Sequence, residues 1–99
     1  MSFVTTQPEA LSAAATSLAG IGTMMSAQNA AAAAPTTSVV PAGADKVPAL
    51  TATQFALHAQ MRQAVSAQAE AIHQQLVSTP AVSAPSYAAT EAAKATAAC

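Results

Sequence analysis

Two stripes of apolar residues, separated by a proline-marked break, constrain this chain more than any other feature. In the first, Leu11, Ala14, Leu18, Ile21 and Met25 follow at spacings of three, four, three and four, the heptad pattern of a helix built to lie along another helix. In the second, Leu50, Leu57, Met61, Val65, Ile72 and Leu76 are spaced seven, four, four, seven and four, again one helical face. Phe55 falls off that stripe, so the second helix is expected to use more than one apolar face.

Local signals bound the two segments. Thr6-Gln7-Pro8-Glu9 reads as a helix start, with Thr6 able to cap, Glu9 placed as in a capping box and Pro8 tolerated in the first turn. A helix is expected over about 7–34, stopping or kinking where Pro35 removes a backbone donor and disfavours helical angles in its predecessor. About 35–44, with Pro41 and Gly43, reads as a loop in which Val39 and Val40 could plug the end of a bundle. Asp45 suits a cap and Pro48 a first turn, giving a second helix over about 45–79 that Pro80 and Pro85 terminate. From Ser86 onward helix propensity is high but no apolar stripe continues, so a frayed or conditionally ordered tail is expected. The resulting division is a hairpin over 1–86 and a tail over 87–99.

Composition then decides whether such a hairpin is self-sufficient. Apolar residues make up 53% of the chain, yet aromatics are 3% and charges 7%. Most of the apolar count is alanine, the best helix former but one with little surface to bury. Strong helices and a thin core follow, and a chain of 99 residues built this way should fold poorly alone. At ~1.5 Å per residue the helices would span about 40 and 50 Å, and the short loop makes them antiparallel neighbours. The expected fold is therefore all-α: an antiparallel two-helix hairpin that completes a four-helix-type bundle with a partner.

Several function classes drop out. The formal charge is −1, from Lys46, Arg62 and Lys94 against Glu9, Asp45, Glu70 and Glu91; no basic stripe exists to neutralise phosphates, so nucleic acid is not an expected partner. The first residues lack the positive region and apolar core of a secretory signal peptide. No uninterrupted apolar run approaches ~18 residues, so no transmembrane segment is expected. Cys99 stands alone and last, which rules out an internal disulfide, and it lacks the residues of a prenylation box.

Chemistry is equally sparse. His58 and His73 lie fifteen residues apart, with no cysteine or carboxylate at metal-ligand spacing, and read as ordinary helix histidines. No nucleophile, base and orienting group can be assembled, so no catalytic residue, cofactor or metal is expected. Gly20-Ile21-Gly22 has no preceding strand, as a nucleotide loop would need. Close approach by a neighbouring backbone would explain both glycines, and simple tolerance is the alternative. Met24, Met25 and Met61 read as adaptable packing residues at a helix interface.

Tyr87 and Glu91 are what remains. A spacing of four places phenol and carboxylate one turn apart on one helical face. Such a pair reads either as an exposed tyrosine with a chance acid or as a recognition element for a protein receptor, the tyrosine giving a large amphipathic contact and the carboxylate an orientation.

Together these segments resemble a known family. Pro8-Glu9, the run from Ala27 to Thr37, Val-Val-Pro-Ala from Val39 and Ser-Tyr-Ala-Ala-Thr-Glu-Ala-Ala from Ser86 are similar to the mycobacterial PE family, named for its Pro-Glu, over essentially the whole chain. The resemblance implies a helical hairpin that pairs with a larger PPE-family protein in a four-helix-type bundle. It implies export by a type VII secretion system, with a secretion chaperone contacting the PPE partner, and a secreted or cell-surface, virulence-associated product that is cytoplasmic before export. It assigns a Tyr-x-x-x-Asp/Glu export signal to Tyr87 and Glu91, and a short form without a C-terminal extension. Lys46, Pro48 and Pro80 depart from the family pattern, and Pro80 is expected to shorten the helix that leads to the signal. The helix-packing surfaces would be Leu11, Leu18, Ile21, Met25, Leu50, Phe55, Leu57, Met61, Ile72 and Leu76. The competing expectation is an amphipathic module lying on a membrane or cell-envelope surface, against which the scarcity of lysine and arginine counts.

Overall fold

The computed structural model describes residues 3–98; Cys99 lies outside them. Two helices, α1 (Pro8–Thr37) and α2 (Lys46–Ala98), pack against each other as an antiparallel hairpin, and no strand occurs among the described residues. The chain divides into two compact units: residues up to Gly22 together with those from His73 onward, and Thr23–Ile72.

Helix starts follow backbone hydrogen bonds. The Asp45 carbonyl accepts from Ala49 N–H at 3.3 Å, which puts Asp45 at the cap position of α2 and Pro48 in its first turn. For α1 the Gln7 carbonyl accepts from Leu11 N–H at 3.2 Å, so Gln7 is the cap and Pro8 the first helical residue. Thr6 is thereby displaced from the expected capping role, and its hydroxyl donates to Glu91.

Both helices run further than local rules predict. α1 passes through Pro35 to Thr37. Its last turn is tied by hydroxyls, Thr36 donating to the Ala32 carbonyl and Thr37 to that of Ala33 at 2.7 Å. α2 contains both Pro80 and Pro85 and ends only at Ala98, so the expected stop near residue 79 and the frayed tail are replaced by continuous helix. A proline inside a helix costs about 3 kcal/mol through a lost hydrogen bond and a ring clash. Contacts between and beyond the prolines offset this: Ala84, between them, is buried, and Glu91 and Lys94, beyond both, are bonded to the segment before α1.

Small and polar side chains predominate in the interior. In the unit Thr23–Ile72 the more buried positions of α2 are Ala52, Ala56, Ala59, Gln63, Ser66 and Glu70, at spacings of four and three in alternation. In the other unit they are His73, Val77, Pro80 and Ala84, then Glu91 and Lys94. On α1 Leu11, Ala15, Leu18 and Gly22 play the same part. The expected first stripe is thus divided: Leu11 and Leu18 turn inward, whereas Ala14, Ile21 and Met25 are exposed.

Polar side chains link the helices across this seam. Asn29 Nδ2 donates to Glu70 Oε1 at 2.8 Å, and the Asn29 carbonyl accepts from Gln63 Nε2 at 3.1 Å. Any slip between the helices here would strand these half-buried groups, so they specify register more than they add stability.

Candidate functional site

Large apolar side chains face away from the hairpin. On α2 within Thr23–Ile72, Leu50, Leu57, Met61, Val65 and Ile72 are between 47% and 66% exposed. At 3.6 residues per turn they lie on the side of α2 opposite the alanine and polar seam. Leu76 in the other unit is likewise exposed, as are Ile21, Met25 and Phe55. Of the ten proposed packing residues, eight are therefore solvent-facing in this chain, and only Leu11 and Leu18 are drawn into the hairpin.

The loop leaves apolar side chains uncovered in this chain. Val39 and Val40 are exposed, Val40 to 83%, and line a hollow of about 370 Å³ with Pro41, Val47, Pro48 and Phe55. His58 borders a second hollow of about 320 Å³, formed with Val47, Leu50 and Phe55.

His73 has a more definite place. Its Nε2 lies 2.6 Å from the Leu18 carbonyl; a carbonyl can only accept, so Nε2 carries the hydrogen. Gly22 makes room for the ring, since a Cβ there would fall 2.7 Å from His73 Cδ2. The close approach expected at the glycine pair is thus real at Gly22, and the approaching group is a side chain. Gly20 has open space beside it.

Tyr87 and Glu91 occur on α2, one turn apart as expected. Tyr87 is 46% exposed and lines a hollow of about 300 Å³ with Thr6, Gln7, Pro8 and Leu11. Glu91 Oε1 accepts from the Thr6 backbone N–H at 2.9 Å, from Thr6 Oγ1 at 3.0 Å and from Lys94 Nζ at 2.9 Å. Lys94 also donates to the Val4 carbonyl. The Lys94 ammonium, helped by the two Thr6 donors, holds the Glu91 carboxyl below the usual carboxylate range against the opposing effect of burial. Pro8 is half-buried beside this cluster and Glu9 is exposed in the first turn of α1, where a carboxylate suits the positive end of the helix.

Sequence reasoning missed the cluster of Val4, Thr6, Glu91 and Lys94 because its members lie 85 and 90 residues apart. A usable signal was present: continuing the four-and-three alternation of His73, Val77, Pro80 and Ala84 passes Tyr87 and reaches Glu91 about two turns on and Lys94 nearly three turns on.

Among the described residues no three His, Cys, Asp or Glu side chains come together as a metal set. By length and mean hydropathy α1 meets the composition test for a membrane span, its best 18-residue window averaging 1.2. The lack of an uninterrupted apolar run therefore does not by itself exclude one.

An alanine-rich helical hairpin with an outward apolar stripe is the class this architecture defines. The chain belongs to the PE family, whose family model matches residues 4–94. It is 63% identical over 98 residues to PE family protein PE13 of Mycobacterium tuberculosis, a match covering 99% of each chain. It is 57% identical over 95 residues to PE-PGRS family protein PE_PGRS33 of the same species, covering 96% of this chain but only about a fifth of that one. With PE family protein PE8 it shares 50% over 98 residues, 36% of that protein's length.

Proposed function

We propose that this protein is a non-enzymatic interaction subunit that forms a heterodimer with a PPE-family protein and is exported with it by a type VII secretion system to the cell surface or medium. The observation that carries the reading is the outward stripe of Leu50, Leu57, Met61, Val65 and Ile72. Exposed apolar patches of this kind mark protein or membrane contacts, and within Thr23–Ile72 α2 turns alanine and polar residues, not these, into the hairpin. Burying the exposed parts of these five side chains would contribute roughly 5–10 kcal/mol before association costs. Membership of the PE family supports a PPE-type partner among the possible occupants.

Tyr87 and Glu91 are the export signal in this reading. Co-expression with PPE candidates should give a soluble one-to-one complex, and Tyr87→Ala should retain that complex while abolishing export. A stable monomer with every candidate sinks the heterodimer; export of the Tyr87→Ala protein at normal levels sinks the signal. Co-sedimentation of the lone chain with lipid vesicles would instead favour a surface-binding module, for which the apolar character of α1 is the supporting feature.

A further inference from the structure

The carboxylate of Glu91 is held at the start of the chain's first helix. Thr6 supplies two donors to Glu91 Oε1, its backbone N–H at 2.9 Å and its hydroxyl at 3.0 Å, and Lys94 supplies a third at 2.9 Å. Lys94 is anchored in turn on the Val4 carbonyl. Gln7, the residue after Thr6, caps α1, so the negative charge sits near the positive end of the helix. Tyr87 borders the same stretch, sharing a hollow with Thr6, Gln7, Pro8 and Leu11.

A glutamate on an open helix surface samples many rotamers, and a receptor that reads it must order them on binding. Three donors on one oxygen remove that freedom beforehand. The side chains of Glu91 and Lys94 are only 24% and 26% exposed, so a receptor approaching Glu91 meets residues 4–8 at the same time.

We propose that Thr6 is a positioning residue of the export signal: with Lys94 it fixes the Glu91 carboxylate against the start of α1, and the recognised surface is composite, made of Tyr87 and Glu91 together with residues 4–8. This rests on the export reading of Tyr87 and Glu91 given above. The partner it fits is a protein receptor with an aromatic-accepting recess beside hydrogen-bond donors for a carboxylate.

The test uses the full chain co-expressed with its PPE partner in an exporting mycobacterium, with exported and retained protein measured for each variant. Thr6→Val combined with Lys94→Met leaves Tyr87 and Glu91 in place but removes two of the three donors. Export should fall about tenfold, the scale expected for losing charge-assisted hydrogen bonds. The amount of complex and its melting temperature should stay near wild type, and Thr6→Ser, which keeps the hydroxyl, should export normally. Wild-type export of the double variant overturns the proposal if Tyr87→Ala and Glu91→Gln are retained in the same cells. Loss of the complex in the double variant also overturns it, because the cluster would then serve assembly and not presentation. Normal export of Tyr87→Ala removes the underlying signal reading, an outcome distinct from the other two.

Discussion

The two faces of α2 within the unit Thr23–Ile72 have reversed the usual division of labour. The face turned into the hairpin carries Ala52, Ala56, Ala59, Gln63, Ser66 and Glu70. The face turned out carries Leu50, Leu57, Met61, Val65 and Ile72. Small residues let two helices approach closely, and polar ones fix their register, but neither removes much apolar surface from water. The lesson is that the hairpin is organised by its inner face and left short of stabilisation until the outer face is covered.

Charging the two faces should break this symmetry of roles most visibly. Leu57→Asp with Met61→Asp on the outer face should weaken complex formation by at least about 100-fold, since buried unpaired carboxylates are costly. Helix content of the lone chain by circular dichroism should change little. If helix content collapses instead, the outer face is part of the hairpin's own core and the comparison fails.

On the inner face, Ala59 is only 7% exposed. Ala59→Leu should destabilise the hairpin by about 1–3 kcal/mol through overpacking, read as a lower melting temperature. A neutral result would mean that the seam is looser than its burial implies.

The glycines sharpen the same contrast at smaller scale. Gly22→Ala should cost about 1–2 kcal/mol, because the new methyl displaces His73 from the Leu18 carbonyl. Gly20→Ala, facing open space, should instead stabilise by about 0.5–1 kcal/mol by raising helix propensity. Equal melting temperatures for the two variants would remove His73 as a seam residue.

The smallest effect concerns acidity. Glu91 has its folded-state pKa lowered, first by Lys94, so its contribution to stability is present above the ordinary carboxylate pKa and is lost as pH falls through the lowered value. Glu91→Gln should flatten that acid limb of melting temperature against pH. An unchanged limb would show that the cluster does not persist in solution.

Much of this was legible from the residues. Leu50, Leu57, Met61 and Ile72 announce a helical stripe because large apolar side chains are conspicuous in a chain of alanine, and Asp45 announces a cap. The inner seam was not legible by the same route. Ala52, Ala56 and Ala59 look like every other alanine, and Gln63 or Glu70 reads as solvent-facing until a partner such as Asn29 is found 34 or 41 residues away. Pro80 and Pro85 misled because their cost is local, whereas what offsets it comes from Thr6 and Val4 at the other end of the chain.

The outward stripe also bears on how the protein is handled inside the cell. A chain whose leucine, methionine and isoleucine side chains face water is a ready substrate for proteases whenever it is alone. Its abundance should then follow the supply of whatever covers that face and not its own rate of synthesis, so that making more of this chain by itself would yield turnover and not product.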